Sequence, residues 1–400
     1  MIPTATPPLA TATVDFPKYD ERIRRPAEEK NPEFQHDGHL RHLINAGQLT
    51  PDLVNSLCNM ADQIRLLSRD RHSANALREL LSHRRAMLYF TQPSTRTFLS
   101  FMAACQILGL TCNEVRDPKT SSEVKRESRM DAIRMFSSYF DIIIMRSPLA
   151  SFAEACSYLM TDLASLNKRW VPIINAGAGA DEHPTQALLD IYTLKRTFNF
   201  TDRDGNDTLR ELQSRHPDLG RGLSNKTYTF CGDIGRGRTV RSLAIVLAQY
   251  DGIRMNFVSP DDPSLRLHDD LRDRLTAHGV QVREYHSLDD SELLGQTDCL
   301  YMTRIQREHN SPNDEFRIRQ LDLSLFQLTP ERAAQLKEFT PIMHPFPRDS
   351  EVQEIPEAID VDPRAMYFRQ ARNGMWIRAA LLVHMFDMEN ELEALAAGGR

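Results

Sequence analysis

The four residues Ser94-Thr95-Arg96-Thr97 bring three hydroxyls and a guanidinium together between an apolar run, Met87 to Phe90, and an amphipathic stretch, Thr95 to Leu108. The pattern reads as a strand leading into a helix. At a helix N-terminus the first N–H groups lack intrahelical acceptors and the macrodipole is positive, so this segment is suited to cradle an anion. Taken alone, it reads more readily as a helix cap with an incidental arginine. Support comes from the ends of the next apolar runs: Arg146 follows Ile142 to Met145, and His183-Pro184-Thr185-Gln186 follows Val171 to Ile174. Parallel α/β sheets hold their ligands at these strand ends. Together the three segments describe a phosphate site beside a histidine able to polarise a carbonyl.

These residues need a frame. Apolar runs alternate with amphipathic stretches, and Pro51 to Leu67 and Ser128 to Tyr139 read as further helices. The alternation predicts a parallel sheet covered on both faces. A polar segment, Asp202 to Asn225, interrupts it as a loop or insertion. A second series follows, with strands expected at Tyr228 to Cys231, Met255 to Val258, Gln281 to Tyr285, Cys299 to Met302 and Pro341 to Met343, and a helix over Thr239 to Gln249. The expected fold is α/β, two doubly wound parallel-sheet domains joined by interdomain helices. Residues 1–38, rich in Pro, Thr and charge, read as a flexible extension. The domains are expected over 39–190 and 191–370, with the insertion at 202–225 in the second. A final helix over 371–396 is expected to return to the first.

Composition excludes several classes. A chain of 400 residues with 41% hydrophobic and 26% charged residues is that of a globular protein large enough for two cores. The net charge of −6 argues against a general nucleic-acid binder. No apolar run approaches the roughly 20 residues that span a bilayer. The six cysteines show no two-residue spacing of a metal or redox motif and read as buried thiols in a reducing compartment. The first 15 residues lack a secretory apolar core. The expectation is a soluble cytoplasmic protein with no metal and no cofactor.

Beyond the first three segments, the chain carries Gly232-Asp233, Gly237-Arg238-Thr239-Val240, Tyr301-Met302-Thr303-Arg304-Ile305-Gln306, His344-Pro345-Phe346-Pro347-Arg348 and Tyr367-Phe368-Arg369-Gln370-Ala371. In order and spacing this set resembles the aspartate and ornithine carbamoyltransferase family over roughly residues 39 to 390. Ornithine enzymes typically carry His-Cys-Leu-Pro where this chain has His344-Pro345-Phe346-Pro347, so the second half resembles the aspartate branch. The resemblance implies transfer of the carbamoyl group of carbamoyl phosphate to L-aspartate, an early step of de novo pyrimidine biosynthesis. Residues 39–190 would bind carbamoyl phosphate and 191–370 aspartate. It assigns Ser94, Thr95, Arg96, Thr97 and Arg146 to the phosphate, and Thr97, Arg146 and His183 to the carbamoyl oxygen. Gln186 and the Pro345 carbonyl would hold the carbamoyl NH2. Arg238, Arg304 and Gln306 would take the aspartate carboxylates, beside Phe346.

On composition alone Lys125, within Lys125-Arg126-Glu127-Ser128-Arg129, is part of a solvated charge run. The resemblance makes it, with Ser121 or Ser122, a loop that enters a neighbouring subunit's site in a homotrimer. It also leaves room for a regulatory or multienzyme partner. The chain departs from the family pattern at Gln92, Phe98, Met102, Arg126 and Phe346; none of these removes an assigned ligand, and Phe346 is expected to narrow the aspartate pocket. Three other readings stay open: a carbamoyltransferase for another anionic amino acid, a silent homologue serving as a binding subunit, and a dinucleotide-binding oxidoreductase. The last rests on Gly232, Gly235 and Gly237, whose spacing is not that of the dinucleotide fingerprint.

Overall fold

The structure is a computed structural model that describes residues 16–117, 127–167, 169–177, 182–199, 214–215, 222–306, 316–318 and 320–398. Lys125, its neighbouring serines, Arg126 and most of the 202–225 segment lie outside the described residues.

Two five-stranded sheets, each wholly parallel, form the frame. The first contains β1 (His42–Leu43), β2 (Arg85–Phe90), β3 (Thr111–Val115), β4 (Ile142–Arg146) and β5 (Ile173–Asn175), in the spatial order β1-β5-β4-β2-β3. The second contains β6 (Thr227–Cys231), β7 (Arg254–Val258), β8 (Gln281–Tyr285), β9 (Cys299–Met302) and β10 (Ile342–Met343), in the order β8-β7-β6-β9-β10. Ile142, Ile143, Ile144 and Met145 are all fully buried, as expected for a strand covered on both faces. In each sheet the strand order reverses once, between β2 and β4 and between β6 and β9. Ligands of doubly wound sheets bind at such reversals, beyond the carboxyl ends of the strands.

The helices that matter for the site are α1 (Pro51–Leu67), α2 (Thr95–Ile107), α3 (Pro184–Asn199), α4 (Arg238–Leu247), α5 (Tyr367–Met385) and α6 (Glu389–Gly398). Thr50 caps α1 by accepting from Leu53 N, with proline at the first helical position. α3 packs on α4, and α5 packs on α1, α2 and α3, so these two helices tie the sheets together. α5 begins beside the second sheet, where Met366 N donates to Ile342 O at 2.9 Å. Further along, Asn373 Nδ2 donates to Thr193 Oγ1 of α3 at 2.9 Å. Gly374 permits this approach: a Cβ there would lie 2.9 Å from Ser100 Oγ of α2.

Three expectations are corrected. The chain from Phe16 onward is packed, although residues 1–38 read as a flexible extension. Phe16 stacks on Phe152 with ring centroids 5.2 Å apart, and Phe34 is fully buried against Tyr158. Lys30 pairs with Glu154 at 2.8 Å, and Arg22 reaches both Glu33 and Asp162. The cause is tertiary: helical turns of three to five residues carry no period of their own, and their aromatics find partners far along the chain, chiefly Phe152 and Tyr158 on the helix Phe152–Asn167. The final helix expected over 371–396 is instead two, α5 from Tyr367 to Met385 and α6 from Glu389, with a turn between them in which Met388 N donates to Val383 O and Asp387 N to His384 O. Asp387 takes φ 57° there, closing a Schellman turn with an aspartate where glycine is usual. Finally, β3 and β1 were not expected; β3 is a half-exposed polar edge strand and β1 is two residues long.

Phe34→Ala should destabilise the protein by about 3–5 kcal/mol, the usual result of emptying a fully buried phenyl site. An unchanged midpoint in equilibrium urea unfolding would show that the N-terminal segment contributes nothing to the fold.

Candidate active site

The carboxyl ends of β2, β4, β6, β9 and β10 open into one cleft of about 490 Å³. Its walls carry Ser94, Thr95, Arg96, Thr97, Arg146, His183 and Gln186 from the first unit, and Arg238, Arg304, Gln306, Pro345 and Phe346 from the second. Every expected site residue except Lys125 is therefore brought together. Ser94 stands at the N-cap of α2 without using its side chain to cap, so its hydroxyl is not committed to the helix.

The cleft is crowded with positive charge. Arg146 donates through Nη1 to Ala176 O at 3.2 Å, while its buried Nε has no hydrogen-bond partner among the described residues. Burial, and then Arg238, Arg378 and Arg96, pull its pKa down to about 9. Arg96 is lowered by partial burial and by Arg304. Arg238 donates to Gly177 O at 3.3 Å. Guanidinium groups shifted this way are held in place for an anion, which would reverse both the desolvation and the repulsion. Gly177 is required where it stands: its φ is 101°, and a Cβ would lie 2.7 Å from Arg146 Nη1.

Arg378, on α5, was not anticipated. It is fully buried, lines the cleft, and leaves Nε and Nη2 without hydrogen-bond partners among the described residues. Its guanidinium carbon lies 4.7 Å from the Phe101 ring centroid, and burial draws its pKa down to about 9. The available signal was a lone arginine inside the apolar run of the last helix, Met375 to Met385.

His183 is held by both units. Its backbone N donates to Ser242 Oγ of α4 at 2.9 Å, and Thr185 Oγ1 lies 3.4 Å from Nδ1. Burial, followed by Arg146, Arg238 and Arg378, keeps its pKa well below the ordinary value. The imidazole is thus neutral, and a Thr185 hydroxyl donating to Nδ1 leaves the proton on Nε2. Opposite it, the His344-Pro345-Phe346 turn is locked. His344 Nδ1 accepts from Phe346 N at 2.8 Å, so Nε2 donates to Glu354 at 2.9 Å, and His344 N donates to Gln370 Oε1 at 2.9 Å. Phe346 takes φ 58°, a conformation that strains a bulky residue. Its ring packs on Tyr367 and Phe368 and lies 5.8 Å from the Arg96 guanidinium carbon.

Asp190 is buried behind the cleft and accepts from Gln186, Gln370 and Tyr301; burial pushes its pKa up to about 7 against those three donors. Asp233, also buried, frames the other side by accepting from Arg236 at 2.8 Å and from Gln306 N at 3.1 Å. Two departures from the family pattern have visible surroundings. Phe98 is buried edge-on against Phe90 beneath the Arg116 guanidinium, and the buried Gln92 Oε1 has no partner among the described residues.

Two doubly wound units facing each other across a cleft lined by five arginines define an enzyme for small, multiply charged anions. The carbamoyl-P binding domain model of the aspartate/ornithine carbamoyltransferases matches residues 41–196, and the Asp/Orn binding domain model matches residues 224–385. The chain belongs to this family. An aspartate carbamoyltransferase catalytic subunit of Thermoplasma volcanium is 38% identical over 303 residues, covering 76% of this chain and 85% of that protein. A chloroplastic aspartate carbamoyltransferase of Oryza sativa is 36% identical over 353 residues, covering 86% and 84%. Among solved structures, aspartate transcarbamoylase of Trypanosoma cruzi in complex with carbamoyl phosphate and aspartate superposes with a TM-score of 0.69 at 30% identity, covering 85% of this chain and 95% of that one. No helix among the described residues is long and apolar enough to cross a membrane.

A neutral His183 makes a testable statement about pH. A histidine whose folded pKa is depressed adds stability that is complete above about pH 6.5 and is lost as pH falls below that, because the unfolded chain then binds the extra proton. The imidazole ¹⁵N shifts of His183 should remain those of the neutral ring at pH 5.5. Shifts of an imidazolium there would refute the assigned state.

Proposed function

We propose that the protein is an aspartate carbamoyltransferase, joining carbamoyl phosphate and L-aspartate to give N-carbamoyl-L-aspartate and phosphate, an early step of de novo pyrimidine biosynthesis in the cytoplasm. The observation that carries the reading is the pairing of two cationic sites of different make across one cleft. One is the α2 N-terminus with Arg96 and Arg146; the other is Arg238 and Arg304, with Gln306, on the opposite switch point. The relatives named aspartate carbamoyltransferase support the acceptor. In this reading residues 39–190 with α5 and α6 form the carbamoyl-phosphate unit, and 191–370 the aspartate unit.

The chemistry needs little beyond placement. The unprotonated aspartate amine forms a bond to the carbamoyl carbon, and the bond from that carbon to the phosphate oxygen breaks. Negative charge gathers on the carbonyl oxygen in between, where the His183 Nε2–H, Arg146 and Thr97 would receive it. The carbamoyl NH2 would donate to Gln186 Oε1 and Pro345 O. The amine proton leaves with the phosphate, so no protein base is required. Holding both reactants in line accounts for most of the acceleration.

Aspartate should be carbamoylated and ornithine should not, since a second cation would face Arg238 and Arg304. Arg304→Ala should raise KM for aspartate by about a hundredfold, the loss expected of a charge-assisted pair in a desolvated site. Comparable rates on both amino acids would sink the assignment, and preference for a different anionic amino acid would replace the acceptor.

The reading extends to a closed homotrimer in which Lys125 completes a neighbour's site. Exposed Met135 and Tyr139, on the helix Arg129–Tyr139 just beyond that segment, supply apolar surface suited to such a contact. Arg96→Ala and Lys125→Ala should each be nearly inactive. After mixing, dissociation and reassembly, about three-quarters of trimers are hybrid with about one intact site in three, returning roughly one-quarter of wild-type activity from closed threefold symmetry. Hybrids confirmed by mass that show only parental activity would rule out a shared site.

A further inference from the structure

Asp190 lies one helical turn beyond Gln186 on α3 and does not itself line the cleft. Its Oδ1 accepts from Gln186 Nε2 at 2.9 Å and from Gln370 Nε2 at 2.6 Å, and its Oδ2 accepts from Tyr301 OH at 2.8 Å. All three neighbours donate, the arrangement that favours the ionised, acceptor-only carboxylate against its burial. A primary amide has one donor end and one acceptor end, so fixing the NH2 end fixes where the oxygen points. For Gln186, whose side chain lines the cleft, Oε1 is the end left for a ligand. For Gln370, Oε1 accepts from His344 N at 2.9 Å and so anchors the turn that carries Pro345.

We propose that Asp190 is a positioning residue that sets the polarity of both amides, so that the cleft presents hydrogen-bond acceptors to a substrate NH2 group and discriminates carbamoyl phosphate from acyl phosphates that lack one. Asp190 acts at one remove: through Gln186 directly, and through Gln370 and the His344 backbone on Pro345. The three partners come from α3, α5 and β9, so the same carboxylate ties both units to the acceptor set. An ordinary structural role would be different in kind. A carboxylate that only held the units together would, when removed, weaken every ligand alike.

This inference rests on the reading of Gln186 and Pro345 as the acceptors of the carbamoyl NH2. It is tested with three probes on the full chain: carbamoyl phosphate, acetyl phosphate, in which CH3 replaces NH2, and inorganic phosphate. Asp190→Asn places a donor where three donors converge, so one amide must turn over or lose its partner. The preference for carbamoyl over acetyl phosphate should fall by about tenfold or more, as expected when a buried NH2 loses its acceptor. Affinity for acetyl phosphate and phosphate should stay within about twofold, since no phosphate contact has been altered. An unchanged preference, or equal weakening of all three ligands, overturns the proposal. If Asp190→Asn does not fold, Gln370→Met keeps the carboxylate and removes only its bridge to the His344 turn. The preference should again fall, and an unchanged preference again overturns it. A wild-type protein that binds carbamoyl phosphate no better than acetyl phosphate would overturn the acceptor reading beneath it, and the inference with it.

Discussion

Five guanidinium groups held in one partly buried cleft repel one another, and the rest of the structure is arranged to tolerate that repulsion. Two unit charges about 6 Å apart repel by ~3 kcal/mol at an effective dielectric of about 20. The fold divides the burden between elements that cannot easily move apart. Arg146 is set by a central strand, Arg378 by a helix packed on three others, and Arg238 by a helix N-terminus. Backbone carbonyls at Ala176 and Gly177 take up part of the charge. What remains is a standing attraction for anions, preorganised so that little reorganisation is needed when charge develops on a reacting oxygen.

That field also determines which neutral groups can work beside it. A histidine among arginines is kept uncharged, and His183 can therefore donate a hydrogen bond without adding to the repulsion. His344 solves a different problem with the same side chain. Its Nδ1 and Nε2 are both engaged, with Phe346 N and Glu354, so it serves to hold the turn. Burial of the acids follows a similar division, with Asp233 framing Gln306 and Asp190 framing Gln186.

Much of the frame was legible because buried parallel strands are continuous apolar runs, and Ile142 to Met145 could hardly be anything else. Part of the candidate site was legible because its residues follow those runs directly, so strand ends located Arg146 and His183 without knowledge of how the sheets face, whereas Arg238 and Arg304 were pointed to by the resemblance to the family. What failed did so for physical reasons. β3 is an edge strand with no apolar period, and β1 is too short to have one. Phe16, Tyr19 and Phe34 are spaced irregularly and acquire meaning only against residues distant in the chain, Phe152 and Tyr158 above all. Arg378 and Asp190 sit on helices that carry other polar residues as well as apolar ones, and pattern alone does not say which buried charge faces a cleft. The Asp387 turn lacks the glycine that marks most helix ends.

α5 closes the first unit although it follows the second in the chain, and this has a consequence for how the protein is made. Until Tyr367–Met385 has left the ribosome, the apolar faces of α1, α2 and α3 have no cover. The N-terminal segment waits as well, since Lys18 and its partner Asp162 are 144 residues apart in the chain. The unit synthesised first is thus the one completed last, and the nascent chain carries an unsealed core through most of translation. Such a chain depends on its second unit, whose five strands are contiguous in sequence, to fold while the first stays open.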